Sequence, residues 1–168
     1  MITIIAAASN DGIIGIDNNI PWIGKYKSDM KRFKKLTTGG SIIMGSNTWR
    51  SLGEKPLPNR INYVVSSILD STEDMISCNS VHIAIKASKF NDPDKSIWII
   101  GGASIYLQSM NLVDYIDLTI IPENFGNHHI SNIVRFPWIN PTKFELESKE
   151  NGEQGLIHLK YKALDKIG

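Results

Sequence analysis

The amino-acid sequence predicts an α/β fold: a single-domain, mostly parallel central sheet flanked by helices and closed by a C-terminal antiparallel hairpin. Three observations predict it. Short apolar runs bounded by Gly, Asn, Asp or Pro recur along the chain, and most are continuous, as in strands covered on both faces. Segments of helical periodicity lie between them. Near the C-terminus two runs alternate polar and apolar residues, the mark of strands with one wet face.

Residues 2–8 form the first strand, and a charged amphipathic segment at 26–37 follows as a helix. The run 41–45 ends in Gly45, where a strand hands over to a helix at 48–52. Runs at 61–65, 81–85 and 97–100 read as further strands, the last ending in Gly101-Gly102 before a helix at 104–110. Residues 115–121 form the next strand. The alternating runs at 143–147 and 158–162 flank a loop carrying Asn151-Gly152 and Gly155, which makes them a hairpin. The stretch 122–141 shows little periodicity. With no internal repeat and no linker-like composition, one domain over 1–168 is expected.

Composition narrows the function. Eighteen Lys and Arg against seventeen Asp and Glu leave a formal charge of +1, so no global field holds nucleic acid or an anionic membrane. Any anionic ligand must be held by local geometry. The lone cysteine, Cys78, excludes an internal disulfide and a cysteine-based metal cluster. No basic leader and no apolar run of about 20 residues is present, and a soluble, cytoplasmic monomer is expected.

The helix at 26–37 carries the most informative residue. At about 100° per residue, with Met30 at zero, Leu36, Phe33 and Tyr26 fall between about 240° and 320°. Lys34, Lys27, Lys31, Lys35 and Arg32 take the arc from about 40° to 200° and so point elsewhere. Asp29 falls near about 260°, between Leu36 and Phe33. An aspartate near a helix start is ordinarily a cap or a solvated first-turn residue. The alternative is a semi-buried carboxylate facing a pocket, its pKa raised by desolvation, suited to a ligand edge with a ring N–H beside an amino group.

Two further junctions stand out. Met44-Gly45-Ser46-Asn47-Thr48 and Ile100-Gly101-Gly102-Ala103-Ser104 each lead from a strand into a helix start, with free backbone amides at the strand's carboxyl end. In a parallel sheet both lie on one rim, where a diphosphate can be held without net basic charge. Neither matches the G-x-G-x-x-G fingerprint.

Pro21-Trp22, Asp29 and Phe33, Met44-Gly45 with Thr48-Trp49, Pro56-Leu57-Pro58-Asn59-Arg60, and Gly101-Gly102-Ala103 with Tyr106 and Thr119 occur in one order. This series resembles dihydrofolate reductase, over most of the chain to about Thr119. The resemblance implies NADPH-dependent reduction of 7,8-dihydrofolate, with hydride reaching pterin C6 and a proton reaching N5. Asp29 would bind the pterin N3–H and 2-amino edge, with Thr119 hydrogen-bonded to that carboxylate or to the amino group and Trp22 ordering structure and water. Ile5, Met30, Phe33, Leu52, Leu57, Ile100 and Tyr106 would bind substrate, and Arg60 would anchor its glutamate carboxylate.

On the cofactor side the resemblance assigns Ala7, Ile14, Gly15 and Ile20 to the nicotinamide, the loop 10–24 being a lid. Gly45, Asn47, Thr48, Gly101, Gly102, Ala103, Ser104 and Ile105 would hold diphosphate and ribose, with a cis peptide between the paired glycines. Val65, Ser66 and Ser67 would meet the adenosine end. The family usually carries arginines where this chain has Ser46 and Ser104, which leaves Ser66, Ser67, Arg50 or Lys86 to contact the 2′-phosphate. Two extra residues stand between Trp22 and Asp29. His128-His129 lacks a third ligand, and no metal is assigned. Two other functions remain open: a pyrimidine reductase of the riboflavin-pathway type, and a non-catalytic dinucleotide- or pterin-binding subunit.

Overall fold

The computed structural model describes residues 1–126 and 132–164. In chain order the described elements are β1 (Ile2–Ser9), β2 (Ile13–Ile16), α1 (Lys27–Thr37), β3 (Ser41–Gly45), α2 (Ser46–Ser51), β4 (Ile61–Val65), β5 (Ile76–Cys78) and α3 (Val81–Asn91). They continue as β6 (Ile97–Gly101), α4 (Ala103–Ser109), β7 (Tyr115–Ile121), β8 (Ile133–Arg135), β9 (Phe144–Asn151) and β10 (Ile157–Ala163). One sheet runs β5-β4-β3-β6-β1-β7-β10-β9, and β2 pairs with β8 apart from it. From β5 to β7 all neighbours are parallel; β10 is antiparallel to both β7 and β9. The expected α/β sheet with a C-terminal hairpin is present.

Side-chain alternation divides the strands between two apolar layers. Ile4, Ile43, Tyr63, Ile99, Ile116 and Leu118 pack with α3 and α4. Ile5, Ile42, Met44, Val64 and Trp98 pack with Phe33 and Leu36 of α1 and Trp49 of α2. Coverage on both faces is why these strands read as continuous apolar runs. The layer beneath α1 positions the site.

Three expectations need correction. Residues 81–85 are the first turn of α3, not a strand. Ser80 caps that helix, its hydroxyl accepting from the Ile83 amide at 3.1 Å, and Val81, Ala84, Ile85 and Ser88 are buried at helical spacing. The strand of that region is the short β5 just before it. Second, the segment 10–24 is not a bare loop. It holds β2, whose pairing with β8 inside the unreadable stretch 122–141 joins residues too distant in sequence for any local pattern to signal. Third, Arg32 does not point away from the site, as described below. His128 and His129 lie outside the described residues.

Candidate active site

The N-cap of α1 is Tyr26, whose side chain makes no capping bond, so Asp29 is a first-turn residue and not the cap. Its side chain is half-buried against β7, where the Thr119 hydroxyl hydrogen-bonds it. Burial pushes the Asp29 carboxyl above the ordinary carboxylate value; the Thr119 bond and the positive fields of His158 and Arg32 pull the other way, and Asp117 adds to the rise. Desolvation therefore dominates, as the helix phase implies.

One turn further along α1, Phe33 shares an apolar cluster with Ile5 of β1, Leu52, Leu57 and Ile100 of β6. Met30, placed at the edge of the apolar arc, is instead 62% exposed. Tyr26, at the N-cap, joins a separate cluster with Trp22, Ile121 and Leu156, so of the apolar arc only Phe33 and Leu36 pack in the layer beneath α1. Tyr106 lies beneath the site. It is 6% exposed, and its hydroxyl meets the carbonyl oxygens of Ile5 at 3.1 Å and Ile100 at 3.0 Å, tying β1 to β6 under the apolar floor. Burial raises its hydroxyl's pKa.

Arg60 is held ready. Its Nε donates to the Pro58 carbonyl at 2.9 Å, one terminal nitrogen donates to the Thr37 hydroxyl at 3.0 Å, and the guanidinium stands 5.9 Å from the Phe33 ring centroid. The ion pairs among the described residues do not include it, which leaves guanidinium donors for an incoming carboxylate. Asn62, which the sequence reading passed over, fixes this loop. It is 3% exposed, accepts from the Leu57 amide at 2.9 Å and donates to the Leu57 and Arg60 carbonyls at 3.0 Å. An amide side chain within an apolar strand was the available signal.

The two glycine junctions meet on one rim. Met44 is registered against Gly101, and a Cβ added to Gly45 would lie 2.9 Å from Ile105 Cγ1 of α4. A Cβ on Gly101, whose φ is +111°, would press on the Tyr106 ring at 3.0 Å, whereas Gly102 faces open space. The Gly101–Gly102 peptide is cis. This is a cradle in which bare backbone can approach a ligand, with Ala103, Asn47 and Thr48 at its sides. Ser104 accepts from Gln108 at 3.0 Å, and Arg50 donates to Asn47 at 3.1 Å on the exposed side of α2. Past Val65, the Ser66 hydroxyl accepts from the Ile68 and Leu69 amides at 3.2 and 3.1 Å, which leaves its own proton to donate, and Ser67 is exposed.

Ala7 of β1 and Ile14 and Gly15 of β2 are half-buried, and Ile20 is 47% exposed. Trp22 is 8% exposed, its ring 6.0 Å from that of Phe125, so it braces the segment 10–24 from inside. Glu123 ties the same region together, accepting from Lys25 and from the Tyr26 hydroxyl at 2.7 Å each.

What the sequence reading missed lies on the far side of Asp29. Arg32 crosses to β7 and makes a forked pair with Asp117 at 2.7 and 2.8 Å. His158 of β10 stands directly opposite Thr119, its Nδ1 2.8 Å from the hydroxyl oxygen. Asp117 and Thr119 share a strand face by period-2 spacing, and an acid inside an otherwise apolar strand was the signal. The alternation of β10 implies one wet face, yet His158 and Lys160 on it are half-buried.

Fold and site together define an α/β protein with a half-buried acid on the helix that covers an apolar cluster, and with two glycine-bearing strand ends on one rim of its sheet. A family model described as dihydrofolate reductase matches residues 1–164. With that match the chain belongs to the dihydrofolate reductase family. The dihydrofolate reductase of Bacillus subtilis (strain 168) is 35% identical over 153 residues, which is 90% of this chain and 84% of that protein. The bifunctional dihydrofolate reductase-thymidylate synthase of Paramecium tetraurelia is 36% identical over 108 residues, 64% of this chain but only 22% of that longer protein. A solved structure of dihydrofolate reductase from Enterococcus faecalis, complexed with NADP(H) and RAB-propyl, superposes with a TM-score of 0.83 at 24% identity, covering 98% of this chain and 97% of that one. The fold is shared along nearly the full length.

Proposed function

We infer that the protein catalyses the NADPH-dependent reduction of 7,8-dihydrofolate to 5,6,7,8-tetrahydrofolate. The observation that carries this reading is Asp29: a half-buried carboxyl on an apolar face, raised by desolvation and held by Thr119. A carboxylate there offers two acceptor oxygens to the N3–H and 2-amino donors of a pterin, a bidentate match that also orients the ring. The same group stabilises positive charge on the bound pterin and so favours a proton at N5, with water as its carrier. Ile5, Phe33, Leu52, Leu57 and Ile100 exclude bulk water from the ring, with Met30 at the open edge, and Arg60 takes the glutamate carboxylate.

The residues present fit a dinucleotide. The open face of Gly102 and the close approach of Gly45 to Ile105 leave backbone, not side chain, at the rim. NADPH, when bound, supplies the hydride. Gly45, Asn47, Thr48, Gly101, Gly102, Ala103, Ser104 and Ile105 would hold its diphosphate and ribose, and Val65, Ser66 and Ser67 its adenosine end. Ala7, Ile14, Gly15 and Ile20 would border the nicotinamide, with Trp22 keeping their segment in place.

Family membership favours neither the pyrimidine reductase nor the non-catalytic subunit. A steady-state assay with dihydrofolate, following loss of NADPH absorbance, is expected to show turnover; its absence, with a ribosylated pyrimidine reduced instead or nothing reduced, would overturn the reading. Among the described residues no helix is long and apolar enough to cross a membrane. Balanced charge and ordinary composition support a single-domain monomer acting in the cytoplasm, with no nucleic-acid or membrane partner.

Preference between nicotinamide cofactors turns on Ser46. An arginine at the first position of α2 would add one or two charge-assisted hydrogen bonds to a 2′-phosphate, each worth about 1.5–3 kcal/mol. Ser46→Arg is therefore expected to raise the ratio of kcat/KM for NADPH over NADH by about tenfold or more. An unchanged ratio in parallel assays would show that the phosphate is gripped elsewhere.

A further inference from the structure

We propose that His158 is a positioning residue for the reaction, acting on Asp29 through the Thr119 hydroxyl that lies between them. The proposal deepens the reading of Asp29 as the pterin-facing carboxylate and rests on it. Thr119 is 1% exposed and directly opposite His158 in the β7–β10 ladder, with Oγ1 and Nδ1 2.8 Å apart. The other edge of the imidazole lies against the hairpin turn. A Cβ built on Gly152 would come 2.6 Å from His158 Nε2 and 3.1 Å from Cδ2. Only a residue without a side chain lets the ring sit there, so the imidazole is wedged between the hydroxyl and the turn.

Proton counting then restricts the site. The Thr119 hydroxyl has one proton, and donating it to Asp29 leaves only lone pairs for the imidazole. His158 must then carry hydrogen on Nδ1 and, when neutral, keep its lone pair on Nε2. In the opposite arrangement Thr119 donates to Nδ1 and the carboxylate loses its hydrogen bond. The tautomer of His158 thus selects whether the hydroxyl serves Asp29. Protonation at Nε2 preserves the useful arrangement and places a positive charge one hydroxyl away from the carboxylate.

The charged groups around the imidazole come from several elements. Asp29 and Arg32 face it from α1, Asp117 from β7 and Glu150 from β9, where Glu150 is its cross-strand partner. Lys160, on its own strand, turns to the Tyr115 ring at 4.4 Å and to Glu147 at 3.7 Å. Burial and then Arg32 lower the His158 pKa, against the pull of the three carboxylates. Asp29 shifts upward from its side. Burial thus brings the two titrations toward one another, while the attraction between carboxylate and imidazolium opposes that shift on both sides.

The test joins NMR to kinetics. Imidazole nitrogen shifts, with the His158 signals identified by their loss in His158→Gln, are expected to report the Nδ1–H tautomer in the neutral protein. Asp29→Asn is expected to lower the His158 pKa by about half a unit or more, since the carboxylate favouring the imidazolium is gone. In kinetics, His158→Phe removes a group that stabilises the ionised carboxylate. The apparent pKa at which kcat/KM for dihydrofolate declines is then expected to move up by about half a unit. Gly152→Ala, which displaces the ring without removing it, is expected to move it the same way. His158→Gln, with an amide donor for Thr119, should keep KM and kcat near the parent values at neutral pH but titrate as a single group.

A His158 titration indifferent to Asp29→Asn, or a His158→Phe profile that superimposes on the parent, overturns the proposal. The NMR arm needs no turnover. If Asp29→Asn keeps full activity, the assignment of Asp29 fails, and that outcome is separate from whether the imidazole senses the carboxylate.

Discussion

Asp29→Asn is expected to lower turnover with dihydrofolate about 10²–10⁴-fold at neutral pH, with NADPH binding changed by no more than about twofold. The asymmetry follows from the structure. Asp29 lies on α1 beside Thr119, whereas the glycine rim is built from β3, β6 and their following helices. The amide keeps one acceptor oxygen but turns an N–H₂ toward a pterin edge that itself offers donors, so KM for dihydrofolate rises as kcat falls. Lower pH should recover part of the rate, because solvent then supplies the proton that the carboxylate no longer favours. Stopped-flow hydride transfer and cofactor titration give the two quantities, and an undiminished rate would remove Asp29 from its role.

Stability should move in the opposite sense. Burial raises the native carboxyl above 3.8, so the native state holds that proton more tightly than the unfolded chain does. Stability contributed by this group is therefore complete below about the unfolded value and is lost as pH rises through the native pKa. At neutral pH the ionised carboxylate is a standing cost to the fold. Asp29→Asn is expected to melt at the same or a higher temperature than the parent, with the difference vanishing in acid. A lower melting temperature at pH 7 would mean that the Thr119 hydrogen bond outweighs desolvation.

How much of this was legible in the sequence depended on range. Asp29 could be placed because a helix of known period carries its phase from residue to residue. The rim could be placed because glycine at a strand's end has one local consequence, and the parallel sheet puts both ends on the same side. Residues 81–85 misled because five residues cannot separate a buried strand from a buried helical turn; Ser80 and the continuation to Ser88 decide it. Met30 misled because the arc included Tyr26, which folds into another cluster. The pairings of β2 with β8 and of Thr119 with His158 are contacts between distant segments, and no local pattern encodes register across such distances.

Arg32→Met should show how the fold tolerates charge beside the Asp29 carboxyl. The Asp117 side chain is 9% exposed and loses both arms of its guanidinium fork. Stranding one member of a buried pair costs about 3–5 kcal/mol; because Arg32 itself is 28% exposed and partly screened, about 2–3 kcal/mol is expected in urea melts. The site should respond as well. Arg32 lowers the Asp29 pKa and Asp117 raises it, so removing the cation shifts Asp29 upward and carries the decline of turnover to higher pH. Adding Asp117→Leu removes the stranded charge, and an apolar pair of similar volume often matches a buried ion pair in stability. The double variant is therefore expected to regain most of the lost stability and to bring the pH profile back toward the parent. A double variant as unstable as the single one would place the contribution in the fork's geometry, which holds α1 against β7, and not in the orphaned carboxylate.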